Sequence, residues 1–329
     1  MIDDCKRLCY KPCAMSEEQT TRVPLIKKWL LSMRPWSFPA STMPVIFGTS
    51  LAVVYGNATL NWLHFLMALL AMVILHSAAN MLSDVFDYKR GLDDMVTPVS
   101  GGIVRGWITT RQATTGSVVL FALGIALGLA LVLLTGKTLL YIGGVGVVIG
   151  IFYAGLKYHA LGDLAVFLNF GILGSLGAWV VQTKTFSWIP IIWTVPMAML
   201  VAGILHANNW RDSLSDTEKK VRTIANLIGD KMSLAYYGKL LFGSIVYVLL
   251  LMAVPRLIYT PILEMPLTFL LCLLAVPNAL KLWGRARRRH NPRRPMDFVI
   301  LDGATANHNL VFGLLCIAAV WFDYLLKRI

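Results

Sequence analysis

The stretch "NMLSDVFDYKRGLDD" (80–94) closes a long apolar run and then turns abruptly acidic and basic. An amide, Asn80, and two carboxylates, Asp84 and Asp87, follow one another at intervals of four and three residues. At about 100° per residue a helix gathers all three within a narrow arc, so the reading is a polar face at the end of a hydrophobic helix. The chain around it is 57% hydrophobic with a mean hydropathy of +0.66. That is above the range of soluble domains, about half apolar. Apolar runs of about 20 residues recur along the chain, each long enough to cross a bilayer. Nine are counted, at about 37–56, 62–84, 112–135, 138–156, 161–182, 187–207, 232–254, 261–282 and 306–326. They lack the period-two alternation of a membrane β-barrel. The expected fold is all-α, a polytopic membrane protein with about nine transmembrane helices. Residues 1–30 are read as a disordered or interfacial leader and 31–329 as one membrane domain.

Basic residues set the orientation. Of the 30 Lys and Arg, 24 fall in the N-terminal segment and in the loops that share its side, and five fall on the opposite side. This bias places the first side in the cytoplasm. The multi-pass chain is therefore expected in the cell (inner or plasma) membrane, with its polar motifs facing the cytoplasm. The net charge of +13 reads as topology and contact with anionic membrane lipids; nucleic acid is not an expected partner. Cys5, Cys9 and Cys13 sit in "CKRLCYKPC" at a spacing that matches no common zinc pattern, with no His nearby. The leader before Met15 is expected to be dispensable. Cys272 and Cys316 are expected to pack within spans.

The sixth run ends as the second does. "NNWRDSLSDTEKKVRT" (208–223) again carries Asn, then Asp four residues on, then a further Asp: Asn208, Asp212 and Asp216. Both motifs follow even-numbered spans, which implies a direct repeat with both clusters on one side of the membrane. Carboxylates facing one another in a low-dielectric site repel and need cations. Oxygen ligands with neither His nor Cys select a hard ion, Mg²⁺ or Mn²⁺. Mg²⁺ commonly binds through one or two carboxylates together with phosphate oxygens, so paired clusters suit ions bridging a diphosphate. Lys89, Arg90, Arg105, Lys157, Arg211 and Lys219 are basic residues near enough in sequence to add positive charge. A cluster of facing acids is also expected to tolerate the loss of one acid without loss of metal-free stability.

The paired motifs at the ends of the second and sixth of nine helices resemble the UbiA superfamily of intramembrane prenyltransferases. "MRPWSFPASTMPVIFGTSLA" (33–52) is similar to that family's first helix. "GDLAVFLNFGILGSLGAWVVQT" (162–183) is similar to the fifth helix of its menaquinone branch, whose members prenylate 1,4-dihydroxy-2-naphthoate. The resemblance covers about residue 30 to the C-terminus. It departs at "TPVSGGIVRGWIT" (97–109) and "LKYHALGD" (156–163), where the branch usually carries Gly-Pro-Leu-Arg and Gly-Gly-Pro-Tyr-Pro. These departures bear on the acceptor more than on the reaction class. The resemblance implies a UbiA-like bundle with Mg²⁺ held by Asp84, Asp87, Asp212 and Asp216. It implies a diphosphate bound near Asn80, Asn208, Arg34, Lys89 and Arg211, with Tyr153 and Lys157 of "YAGLK" beside it. The expected substrates are a polyprenyl diphosphate and an aromatic acceptor, 1,4-dihydroxy-2-naphthoate first. 4-Hydroxybenzoate, homogentisate, haem and glycerol phosphate stay open as acceptors. A cation-coupled transporter is the competing class, though such transporters usually pair inverted repeats around a midplane site.

Overall fold

The computed structural model describes residues 23–92, 96, 100–257, 264–289 and 300–328. The three N-terminal cysteines, Asp93, Asp94 and residues 97–99 lie outside the described residues. Ten helices follow in order: α1 (Leu25–Ser32), α2 (Pro39–Val54), α3 (Trp62–Lys89), α4 (Thr110–Thr135), α5 (Lys137–Lys157), α6 (Gly162–Thr183), α7 (Ile189–Glu218), α8 (Ile224–Leu257), α9 (Leu267–Arg287) and α10 (Leu301–Leu326). No strand is present among the described residues, and the nine apolar runs map one by one onto α2 to α10. Eight of these helices are individually long and apolar enough to span a membrane.

The ninth span is built differently. The run expected over 37–56 is a helix of 16 residues, about 24 Å long and short of a hydrocarbon core of about 30 Å. It joins α1 through a 61° bend. Pro35 and Pro39 start new helical segments there, and Arg34 between α1 and the Pro35–Ser37 turn has φ 55, ψ 60. Proline forbids the continuing helix hydrogen bonds, so the chain turns at this point. The turn aims Arg34 into the bundle.

At the centre, α2 is enclosed by α6 and α10, α3 packs along α4, and α7 along α8. The core lies between α2, α7, α9 and α10. Phe269 meets Phe47 and Trp193 edge-to-face, with ring centroids 6.3 and 5.6 Å apart, a favoured aromatic geometry. Cys272 and Cys316 pack there with sulfurs 3.5 Å apart, as expected of span packing. The outward faces of α4 and α5 carry exposed Leu, Val and Tyr side chains, the pattern of helices that face lipid. Two features place the site. A stretch of π-helix, Phe167–Leu173, interrupts α6 and turns Asn169 and Phe170 toward α5 and α3. The loop after α5 is tied to the loop after α7 by Ala160 N–H donating to the Arg222 carbonyl at 2.7 Å and Arg222 N–H donating to the Tyr158 carbonyl at 3.2 Å. The loop that follows Tyr153 and Lys157 is thereby tied to the loop that follows the second motif.

Candidate active site

Both motifs are helical. α3 runs through Asn80, Asp84 and Asp87, and α7 runs beyond its apolar run to carry Asn208, Asp212 and Asp216. Asn80 and Asn208 line one polar pocket of about 100 Å³, together with Arg34, Tyr153, Lys157 and Asp302. The repeat therefore converges as its parity requires.

The acids do not form one crowded cluster. Among the described residues no group of three or more His, Cys, Asp or Glu side chains converges as a metal cage. Each acid is matched to a base instead. Asp84, 4% exposed, pairs with Arg34 from the α1–α2 bend, Nη2 to Oδ1 at 2.5 Å. Asp87, also 4% exposed, receives Lys157 Nζ at 3.0 Å and the Tyr158 hydroxyl at 2.8 Å. Arg211 donates Nε and Nη2 to the two oxygens of Asp212, both at 2.8 Å. Asp216 is buried, within electrostatic reach of Lys157. The expectation that losing any one acid relieves repulsion is thus corrected for Asp84. A carboxylate buried against a cation is a paired charge, and removing it takes away charge compensation that burial requires.

The remaining expected residues divide. Asn80 is held by donating Nδ2 to the Met33 carbonyl and to Ser37 Oγ, both at 3.1 Å. Ser37 in turn meets His76 Nε2 at 3.3 Å, and His76 Nδ1 meets Ser41 Oγ at 2.8 Å. This chain of contacts locks the bend that presents Arg34. Tyr153 and Lys157 share one face of α5 and both reach the pocket. Lys89 does not: it is exposed at the end of α3 and lies outside the pocket lining. Arg90 is drawn over the Tyr158 ring at 3.9 Å, and Arg105 donates Nε to the Ser100 carbonyl at 3.1 Å. Lys219 approaches Gly91, where the end of α7 meets the end of α3.

Four further residues are not singled out by the sequence. Tyr158 braces Asp87; burial and the Asp87 charge push its phenol well above the usual range, so it stays protonated and donates. Gly101 lies so close to Asp84 that a Cβ there would overlap Asp84 Oδ2. His76 sits behind Ser37. Asp302, from the first turn of α10, accepts Arg211 Nη1 at 2.8 Å and Asn208 Nδ2 at 3.2 Å. Two of the four fall in the stretches that depart from the menaquinone-branch pattern, Gly101 in 97–109 and Tyr158 in 156–163; His76 and Asp302 have no such signal.

A second, larger cavity of about 420 Å³ adjoins the polar pocket. It lies between α3, α4, α5 and α6, is almost wholly apolar, and shares Ala79 and Phe170 with the pocket. One end of the combined space is polar and the other takes hydrocarbon. Asp84, Asp87, Asp212 and Asp216 lie behind this lining: Asp84 and Asp87 hold the lining bases Arg34 and Lys157, and Asp212 holds Arg211, which also binds the lining Asp302. Carboxylate oxygens without His or Cys are the donor type that Mg²⁺ takes together with phosphate oxygens.

Residues 41–322 match the UbiA prenyltransferase family. The chain belongs to this family. UbiA prenyltransferase domain-containing protein 1 of Mus musculus is 31% identical over 296 residues, covering 87% of this chain and 81% of its own length. The homologue of that protein in Drosophila melanogaster is 30% identical over 314 residues, covering 89% and 79%. Among solved structures, the apo UbiA homologue of Aeropyrum pernix K1 superposes with a TM-score of 0.63 at 16% identity, covering 87% of this chain and 97% of its own. The UbiA homologue of Archaeoglobus fulgidus bound to DMAPP and Mg²⁺ superposes with a TM-score of 0.54 at 16% identity, covering 88% and 99%. At that identity the structural likeness establishes the UbiA fold. The polar pocket and its apolar extension thus belong to a UbiA-family prenyltransferase.

Proposed function

We propose that this prenyltransferase moves a polyprenyl group from its diphosphate to an aromatic acceptor in a Mg²⁺-dependent reaction. The acceptor we assign is 1,4-dihydroxy-2-naphthoate, as in menaquinone biosynthesis. The observation that carries the reading is the junction at Ala79 and Phe170, where a polar pocket lined by Arg34 and Lys157 opens into an apolar cavity. A prenyl diphosphate has the same two-part chemistry. In this reading Lys157, Arg34 and Arg211 meet the diphosphate, Asn80 and Asn208 donate to it, and Tyr153 faces the reacting end.

In the free protein each of these bases except Tyr153 and the amides is held by an acid, which keeps the pocket near neutrality without solvent. Mg²⁺ held by Asp84, Asp87, Asp212 and Asp216 would neutralise the charge that grows on the departing diphosphate. Arg211, let go by Asp212, would then face phosphate oxygens, while Arg34 and Lys157 act from beside Asp84 and Asp87, and Tyr158 keeps Asp87 in place. The C–O bond to the allylic carbon breaks and the diphosphate leaves with the electron pair. An electron-rich carbon of the acceptor ring closes on the allylic cation, and the ring regains its aromaticity by losing from that carbon a proton, which the departed diphosphate accepts, or CO2 where that carbon carries the carboxylate. The walls of the apolar cavity exclude water that would otherwise capture that cation.

The basic-residue bias supports a cytoplasmic pocket in the cell (inner or plasma) membrane. A reporter active only in the cytoplasm, fused after Ile329, should then be silent; a fully active one would reverse the orientation. For the reaction itself, purified protein is incubated with geranylgeranyl diphosphate, Mg²⁺ and a panel of aromatic acceptors, and products are identified by mass. The naphthoate adduct is expected to dominate. No prenylated product from any acceptor would remove the proposal, and a different dominant adduct would reassign the acceptor.

A further inference from the structure

We propose that Asp302 is a positioning residue that tethers the second motif's two donors, Asn208 and Arg211, at the diphosphate end of the pocket. The inference rests on that pocket being the diphosphate site. Asp302 is 7% exposed and lines the pocket beside Asn208. Its Oδ1 accepts the Gly303 N–H at 2.8 Å, inside the first turn of α10. An aspartate there is stabilised by the unpaired N–H groups and the positive end of the helix. Its Oδ2 accepts both Asn208 Nδ2 and Arg211 Nη1. The carboxylate is therefore held by its own helix and holds two side chains of another.

A lone acid facing a diphosphate would repel it. Asp302 avoids this because its charge is spent on the helix end and on Arg211. The two grips on Arg211 differ. The Asp212 side chain is 42% exposed, whereas those of Arg211 and Asp302 are each 9% exposed. When Asp212 engages a cation, the Nε–Nη2 edge of Arg211 loses its partner, while Nη1 stays on Asp302. Arg211 then turns about a fixed point beside the pocket and offers two N–H groups in the fork geometry that matches phosphate oxygens. Without Asp302, both Asn208 and Arg211 lose that anchor, and the diphosphate must order them at its own cost.

The test uses the full chain in lipid nanodiscs, with binding of geranylgeranyl thiolodiphosphate in the presence of Mg²⁺ and steady-state kinetics with geranylgeranyl diphosphate. Asp302→Asn keeps the acceptor for Gly303 N–H but presents an amide to Arg211. It should weaken Kd and raise KM about tenfold, with kcat within about threefold and the half-saturating Mg²⁺ concentration within about twofold. Asp302→Glu, which keeps the charge, should lose only about threefold in Kd. Unchanged Kd and KM in Asp302→Asn would overturn the tether, and so would equal losses in the two variants. A large rise in the Mg²⁺ requirement would also overturn it, by making Asp302 a metal ligand. If Asp302→Asn does not fold, unchanged affinity in Asp302→Glu is the overturning result. Failure of the wild-type protein to bind the thiolodiphosphate would sink the diphosphate site itself, and the tether with it.

Discussion

The two acidic motifs carry the same residue types at nearly the same spacing, yet the bundle treats them differently. At the end of α3, Asp84 and Asp87 are buried and are neutralised by bases delivered from afar, Arg34 from the α1–α2 bend and Lys157 from α5. At the end of α7, Asp212 is half open and is neutralised by its own sequence neighbour, Arg211. The first motif is thus locked by tertiary contacts, whereas in the second Asp216 is buried but Asp212 is paired locally, with its partner Arg211 anchored by Asp302. A local pair with solvent access exchanges partners at low cost, whereas a buried pair does not. The first motif is built to stay in place, and the second to change partners.

The largest test of this contrast removes one acid from each side. Asp84→Asn and Asp212→Asn should each lower turnover by at least about 10²-fold, on the order of 3 kcal/mol of transition-state stabilisation. Their stabilities should part. Asp84→Asn removes the buried carboxylate that pairs with Arg34 and should melt lower without ligand, by roughly 1–2 kcal/mol. Asp212→Asn leaves Arg211 on Asp302 and should melt within a degree or two of wild type. Equal melting temperatures in the two variants would erase the distinction. Wild-type turnover in either would remove that acid from the reaction.

A smaller effect is expected where the backbone crowds the first motif. Gly101→Ala places a methyl group against Asp84 Oδ2, and Asp84 is already held by Arg34. The carboxylate must shift by more than about 1 Å, and turnover should fall at least about tenfold through misplacement. Gly91→Ala at the α3 end is the control: it faces the Lys219 side chain rather than a motif acid. Its φ of +68 strains an alanine there, so some stability is lost, but kcat should hold. A kcat loss as large as that of Gly101→Ala would mean that strain near the motif, and not overlap with Asp84, sets the rate.

The smallest change concerns the brace on Asp87. Tyr158→Phe deletes one hydrogen bond to a buried carboxylate that keeps Lys157, an effect of about 1 kcal/mol or three- to fivefold in kcat/KM. The variant and wild type should have pH profiles of the same shape up to pH 9, because the phenol is pushed far above that range and stays protonated throughout. A new activity loss on the alkaline side of the wild-type profile, absent in the variant, would show the phenol titrating and contradict its role as a fixed donor.

Much of this architecture was legible in the residues themselves. Nine apolar runs, the helical face shared by Asn80, Asp84 and Asp87, and its echo at Asn208, Asp212 and Asp216 follow from composition and from the 3.6-residue period. Both are properties that a helix carries alone. Even the pairing of Tyr153 with Lys157 on α5 needs only one turn of helix. What faces those helices is another matter. That Lys89 lies outside the pocket while Tyr158 braces Asp87 depends on how the end of α5 meets the end of α3. Gly101 became meaningful only when its loop was laid against Asp84, and Asp302 only when α10 was packed beside α7, some ninety residues away in sequence. A periodic pattern records which side of a helix is polar. The identity of the charge that neutralises it is decided by helix packing and chain bends, and in a buried site that partner decides whether an acid is fixed or free to exchange.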